Sequence, residues 1–328
     1  MKLCPVNLRR RESLALALML CFGLPAAAQG GFPSRGLTLV VPYTAGGASD
    51  IGARMINADM GRQLGQTVVV DNVGGAAGAL GTQKVVRAPA DGHTLLYGSL
   101  SEALLAPMIN PSAGYRTDDL LPVAYLGGTP VVFVVRPDFP VNTLDEFIAL
   151  AKKNPAKYSY GSPGNGSFQH VMGEAFKAKA GVFMLHIPYR GGAQILTDVI
   201  GGQIDIGITS AVNAAGFVAN GRLKAIGISS AARSPALPKA QPFGESAALK
   251  GLELSTWGIA FVPKGTPDAA VQRLNSVINT ALMAPANVEA RARLGAELPA
   301  VMSPAQARAF VMAEQAKYAP IVKSIKFE

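Results

Sequence analysis

Two glycine- and serine-rich turns carry the residues best suited to chemistry in this chain. Val41–Asp50 reads Val-Pro-Tyr-Thr-Ala-Gly-Gly-Ala-Ser-Asp, and Tyr160–Ser167 reads Tyr-Gly-Ser-Pro-Gly-Asn-Gly-Ser. Each follows an apolar, strand-like run and leads into a helix-like stretch. The first backbone N–H groups of a helix have no intrahelical partner, and the aligned peptide dipoles leave partial positive charge there. Gly and Ser let an anion approach those donors closely. In the first turn the candidates are the amides of Ala45, Gly46 and Gly47, the hydroxyls of Thr44 and Ser49, and Tyr43 beside them. In the second they are the side chains of Ser162, Asn165 and Ser167 and the amide of Gly166. Two such turns far apart in sequence point to one small anion held between two lobes.

Plainer readings stand beside each. Gly46 and Gly47 also suit a simple turn, and Asn165 or Ser167 also suits a helix cap. Asp50 repels an anion and better serves the helix start. A third turn, Tyr189-Arg-Gly-Gly-Ala193, offers Tyr189 as a wall and Gly191 as an amide donor; Arg190 could pair with a carboxylate, but an Arg beside a turn is more often a solvated surface group. Asp205 lies in the apolar run Ile204–Ile208, where an ionised group needs partners. Site and structural roles both remain open for it.

These turns must be positioned by regular elements, and the pattern supplies them. Short Val/Ile/Leu runs alternate with longer helical stretches, the mark of α/β units on a mainly parallel sheet. Strands are expected at 37–42, 67–71 and 93–97, the last running into Gly98-Ser99-Leu100-Ser101, where Ser99 joins the site candidates. Residues 49–64 form a helix with Ile51, Met55, Ile56, Met60 and Leu64 on one face. The apolar strand 131–135 reads as the first crossing between lobes and 252–262 as the crossing back. Between them run helix 143–153 with Thr143 and Glu146 spaced as a capping box, strand 157–160, helix 168–179, strand 184–188, helix 193–200, strand 203–209, helix 211–219 and strand 223–229. Helices at 268–283, 288–295 and 304–326 close the chain. The expected division is 29–130 with 253–328 as one lobe and 131–252 as the other.

The first 28 residues stand apart. Lys2 and Arg9–Arg11 form a basic start, Leu14–Leu24 is apolar but too short to span a bilayer, and Ala26-Ala27-Ala28 offers small residues for cleavage. This reads as a removable signal peptide, so the mature protein works outside the cytoplasm with no membrane insertion of its own. Arg10-Arg11 leaves both general and twin-arginine export open. Cys4 and Cys21 both fall in that segment, so the mature chain has no disulfide and no cysteine metal site; Leu20 argues against lipidation at Cys21. Of the net charge of +9, the segment carries +3, leaving +6 spread without basic runs or interleaved aromatics. That distribution does not suit nucleic acid, but it can steer anionic ligands.

Enzyme chemistry finds little support. His93, His170 and His186 are not at metal-ligand spacing, and no His-Glu-x-x-His, Gly-x-Ser-x-Gly elbow or Walker loop occurs. Gly75, Gly78 and Gly81 do not make a dinucleotide fingerprint. No cofactor or metal is expected.

The motifs resemble the Bug family, the extracytoplasmic solute receptors of tripartite tricarboxylate transporters. The likeness runs through Leu39–Asp50, Gly65–Asn72 with its following glycines, Ala90–Leu96, Tyr160–Ser167, His186–Gly192, Gly202–Asp205 and Ser230–Pro238, in order over the whole mature chain. It implies a two-lobed periplasmic-binding-protein fold of the Venus-flytrap, type II-like kind, two α/β domains joined by crossing strands. It also implies a monomer that holds a small carboxylate in the interlobe cleft and delivers it to a membrane permease. The family's carboxylate-binding turns fall here on 43–49 and 162–167. Two departures stand out. Ala45 replaces a frequent proline, and Glu102 places an acid near a cleft-facing loop, which disfavours a multiply charged ligand if it faces inward. A sensor input to a signalling system, or an exported hydrolase, are the competing functions.

Overall fold

The computed structural model describes residues 31–252 and 254–325. Residues 1–28, read above as a signal peptide, therefore lie outside the described residues. Among those described, two sheets form, and the chain passes between them twice.

The first sheet runs β2-β1-β3-β11-β4, from β1 (Leu37–Val41), β2 (Val68–Asn72), β3 (Thr94–Ser99), β4 (Leu120–Thr129) and β11 (Thr256–Pro263). β1 pairs in parallel with β2 and β3, whereas β11 is antiparallel to both β3 and β4. The second sheet runs β10-β9-β5-β8-β6-β7, from β5 (Val131–Val135), β6 (Ser159–Ser162), β7 (Leu185–Pro188), β8 (Ile206–Ser210), β9 (Lys224–Ile228) and β10 (Gln241–Pro242). Here β5 alone runs against its neighbours. Sheet membership thus changes between Thr129 and Val131, and again between Pro242 and Thr256. The sequence reading missed β4. Pro122 and Gly127-Gly128 lower its strand signal, and β4 tolerates them because it is an edge strand, with one side of its ladder unpaired.

The helices are α1 (Ala48–Leu64), α2 (Ala79–Val86), α3 (Ala106–Ile109), α4 (Leu144–Lys153), α5 (Phe168–Ala180), α6 (Gly192–Ile200), α7 (Ala211–Ala219), α8 (Asp268–Leu282), α9 (Pro285–Arg293) and α10 (Pro304–Ser324). Their apolar faces cover the sheets in separate clusters. α1 and α8 close one face of the first sheet through Ile56, Met60, Leu274 and Ile278. α6 and α7 do the same on the second sheet through Ile195, Leu196, Ala211 and Ala214. A larger cluster includes residues of both sheets, with Leu96 and Phe261 from one and Phe133 and Tyr160 from the other, and Tyr318 of α10 packs beside Phe168. Thr143 caps α4 as its spacing suggested, accepting from Glu146 N–H at 3.2 Å. The reciprocal bond shifts by one residue: Glu146 Oε2 accepts from Asn142 N–H at 2.6 Å.

Candidate functional site

Turns that end parallel strands face the same edge of a sheet, and across the gap between the sheets the second glycine turn meets the loop after β2 while the third meets the first. Gly164 lies against Ala77, where a Cβ on the glycine would sit 3.0 Å from the Ala77 nitrogen. Gly191 lies against Thr44, where a Cβ would sit 2.3 Å from Oγ1. Glycine at these points lets two backbones touch.

Beside this contact opens a cleft of about 110 Å³, lined by both sheets. One water needs only ~10–15 Å³ of such space, so a small organic acid fits the scale. From the first lobe come Tyr43, Gly47, Ala48, Ser49, Tyr97, Ser99 and Ser101; from the second come Pro163, Gln169, Gly192, Ser210 and Asn213. Trp257 of β11 and Arg291 of α9 also line it.

The start of α1 presents backbone donors without intrahelical partners here. Its N-cap, Gly47, brings no capping side chain. The first helical bond is Ile51 N–H to Gly47 O at 2.9 Å, so the amides of Ala48, Ser49 and Asp50 precede any helical acceptor. Gly46 differs: its N–H donates to Asp50 Oδ2 at 2.9 Å, so that amide is already committed. Burial acts to raise the Asp50 carboxyl, but hydrogen bonds from Arg54 and Gly46 outweigh it and hold the group below the usual carboxylate range. Ala45 is exposed beside Gly46, and Thr44 Oγ1 is buried without a partner.

The second turn is arranged otherwise. Ser162 and Ser167 are fully buried. Ser167 Oγ accepts from His170 N–H at 3.2 Å, Gly166 N–H donates to His170 Nδ1 at 3.1 Å, and Phe168 N–H donates across the lobes to Ser101 Oγ at 2.9 Å. Ser162 Oγ sits 2.6 Å from His186 Nε2, and the rings of His186 and His170 stack at 4.0 Å. This serine–histidine contact was not visible as a motif, and full burial closes Ser162 Oγ to a substrate. Desolvation drives both imidazoles down, His170 to about 4 and His186 to about 3, so both are neutral near pH 7. Asn165 is exposed at the tip.

The remaining candidates divide. Gly191 caps α6 without a side chain, and Gly192 beside it lines the cleft. Tyr189 turns its hydroxyl to Asp198 Oδ2 at 2.6 Å. Asp205 sits at the far end of the second sheet, just before β8, accepting from Ser159 N–H at 2.9 Å and Ser159 Oγ at 3.1 Å, with Arg136 3.9 Å away. Those partners answer its need for company in an apolar run.

The sequence reading passed over several cleft residues. Gln169 Oε1 and Asn213 Oδ1 are buried there without hydrogen-bond partners. Asn213 Nδ2 donates to Thr209 Oγ1 at 2.9 Å. Rotating that amide keeps the bond, with Thr209 donating, and places two N–H groups where the unpartnered oxygen now sits. Arg291 is buried, donating from Nη2 to Leu126 O at 2.6 Å and to Glu297 O at 3.0 Å. No carboxylate among the described residues forms an ion pair with it. One signal did point inward: Gln169 is two residues past Ser167, on the first turn of α5.

Among the described residues no group of three metal-ligating side chains occurs, and no helix is long and apolar enough to cross a membrane.

Residues 52–327 match the model of the tripartite tricarboxylate transporter family receptors. A protein encoded in the tcbD-tcbE intergenic region of Pseudomonas sp. strain P51 is 38% identical over 89% of this chain and 88% of its own. BugT of Bordetella pertussis is 34% identical over 89% and 90%. Among solved structures, MatC of Rhodopseudomonas palustris with bound malate superimposes with a TM-score of 0.84 at 31% identity, covering 89% of this chain and all of that one. R. palustris Rpa4515 with adipate gives 0.85 at 29% identity, over 89% and 98%.

Proposed function

Because the chain belongs to the tripartite tricarboxylate transporter receptor family, that of the Bug proteins, we propose that it binds a small carboxylate in the interlobe cleft and delivers it to a membrane permease of that transporter type. It works in the periplasm after removal of residues 1–28, as a monomeric receptor and not as an enzyme. The reading rests on one observation above all: the uncapped start of α1 opens into a cleft walled by both lobes. Relatives named with malate and adipate support the ligand class.

The energetics are adequate without a cationic clamp. A carboxylate taking four charge-assisted hydrogen bonds gains ~6–12 kcal/mol gross, at ~1.5–3 kcal/mol each. Micromolar affinity needs about 8 kcal/mol after desolvation and ordering costs. Donors come from Ala48, Ser49 and Gly192 amides and from the amide groups of Gln169 and Asn213. A ligand touching both lobes binds the closed form better than the open one, and by that difference shifts the hinge toward closure. The closed form then docks on its membrane partner.

Calorimetry of the mature protein against malate, adipate and a wider acid library tests the ligand class. Saturable one-site binding supports it, and turnover of an acid or ester without binding overturns it. Uptake of the bound acid by cells lacking the protein, compared with wild type, tests delivery.

A further inference from the structure

Behind the cleft wall, one carboxylate is buried with no cation beside it. Glu102 lies in the π-helical turn Ser101–Leu105, fully buried. Its Oε2 accepts from Tyr43 Oη at 2.8 Å and from Ser99 Oγ at 2.7 Å, and its Oε1 accepts from Ser99 N–H. Tyr43 and Ser99 are the two hydroxyl residues through which it faces the cleft. A hydroxyl owns one proton. With both protons given to Glu102, Tyr43 and Ser99 turn only lone pairs toward a ligand. Lone pairs and a buried negative charge both repel a carboxylate.

The surroundings offer no compensating cation. Tyr43 reaches Glu102 from the turn after β1, and Tyr115 donates to the Glu102 backbone carbonyl at 2.5 Å from the loop before β4. Both phenols are pushed up by burial and by this same carboxylate, so they stay protonated. Gly78, just before α2, packs on the Glu102 methylenes, where a Cβ would lie 2.9 Å from Glu102 Cβ. Among the described residues no Lys, Arg or His forms an ion pair with Glu102.

We propose that the protein takes up one proton on Glu102 as it binds its carboxylate ligand, and that the protonated Glu102 frees a cleft hydroxyl to donate to that ligand. A protonated carboxyl carries one O–H, which it donates to Tyr43 Oη or Ser99 Oγ. That hydrogen bond reverses: a proton released on Ser99 turns to the ligand oxygen, whereas one released on Tyr43 also has Ala77 O within 3.3 Å. The proton comes from solvent, so ligand and proton enter together and the buried charge is neutralised. Desolvation already lifts the Glu102 carboxyl to about 7 in the free protein, so the proton is available near neutral pH. Glu102 is a positioning residue, acting through Tyr43 and Ser99.

The inference rests on the carboxylate reading above, and its test separates the two. The mature protein is titrated with malate, and separately with adipate, by calorimetry from pH 6 to 9; above pH 7 both probes keep a fixed charge. Each titration is repeated in two buffers of different ionisation enthalpy. Wild type should take up about one proton per bound acid above pH 7, its association constant falling up to tenfold per pH unit. Glu102→Gln, which keeps an acceptor and a donor in place of the protonated acid, should bind within about threefold of wild type at pH 6 and lose both the slope and the proton uptake. Binding by wild type with a flat pH profile overturns this inference alone, as does an unchanged slope in Glu102→Gln. Binding of neither acid overturns the carboxylate reading as well. The proton uptake of wild type decides the matter even if the variant folds poorly.

Discussion

The turn before α1 and the turn before α5 look alike in sequence and differ in what happens to their donors. Both are rich in Gly and Ser and both start helices. Before α5, Ser167 caps His170 N–H, Ser101 takes Phe168 N–H, and His170 takes Gly166 N–H. Before α1, Gly47 caps nothing with a side chain, and Ala48 and Ser49, whose amides follow, line the cleft. A satisfied donor and an open one are built from the same residue types. What separates them is whether a neighbouring oxygen or imidazole is within reach, and that is a property of the fold. The open turn faces the cleft; the closed one meets its opposite lobe at Ala77.

Placing the same negative charge in each turn is the harshest way to break this contrast. Ser49→Asp puts a carboxylate among the open amides, where two like charges ~4 Å apart at an effective dielectric near 20 repel by several kcal/mol. Affinity for malate or adipate should fall at least about a hundredfold, while the melting temperature holds, since Asp near a helix start is favourable. Asn165→Asp adds its charge at an exposed tip and should change affinity by less than about threefold. Equal losses in calorimetry would erase the distinction between the turns.

A wedge sharpens it next. Gly191→Val places carbon where Thr44 Oγ1 already sits 2.3 Å from an ideal Cβ. Overpacking of this kind costs ~1–3 kcal/mol, and it falls on the closed form if the lobes separate. We expect affinity to drop ~5- to 150-fold with little change in the melting temperature of the free protein. Small-angle scattering with saturating ligand should show a larger radius of gyration than wild type. A stability loss without an affinity loss would mean that Gly191 and Thr44 never part.

The alternation of strands and helices was legible because each element repeats its own period, and so α1, α5 and β5 fell within a few residues of their places. Tyr43, Gly47, Ser49 and Ser99 reached the cleft because a strand end and the helix start after it are neighbours in sequence and in space. Trp257, Arg291, Gln169 and Asn213 were not legible as a group. They meet only through the pairing of β11 between β3 and β4, the return of α9, and the docking of α5 and α7. Asp205 shows the converse: an acid in an apolar run invites a functional role, yet here it is half-buried and Ser159 supplies its partners at the other end of the sheet. β5, read as the first crossing between lobes, begins where sheet membership changes and continues as a central strand of the second sheet.

The two sides of the cleft should also answer acid with opposite sign. Burial keeps His170 and His186 neutral in the folded state, with values near 4 and 3. Their contribution to stability is complete above the unfolded histidine value of ~6.5 and is lost as pH falls toward 4. Glu102 is raised, to about 7, so its contribution is complete below the unfolded value of ~4.3 and is lost as pH rises through 7. In thermal melts from pH 7.5 to 4.5, Glu102→Gln should therefore lose stability on acidification more steeply than wild type. His186→Gln should lose it less steeply. Parallel curves for all three proteins would show that neither side carries a shifted group.

The mildest substitution makes the finest distinction. Ser167→Ala removes the side-chain oxygen that caps His170 N–H, a loss of about 1 kcal/mol for a typical N-cap. The same serine in an anion-binding turn would contribute a direct bond to the ligand, and its loss would appear in affinity. Because Ser167 is fully buried and already committed, we expect denaturant titration to show the ~1 kcal/mol loss and calorimetry to show less than a threefold change in the dissociation constant. Restoring a cap with Ser167→Thr should recover part of the stability and leave affinity where it was. Should Ser167→Ala instead weaken ligand binding tenfold with stability intact, the buried hydroxyl must turn outward in the bound form, and the second turn would then bind the anion as the first does.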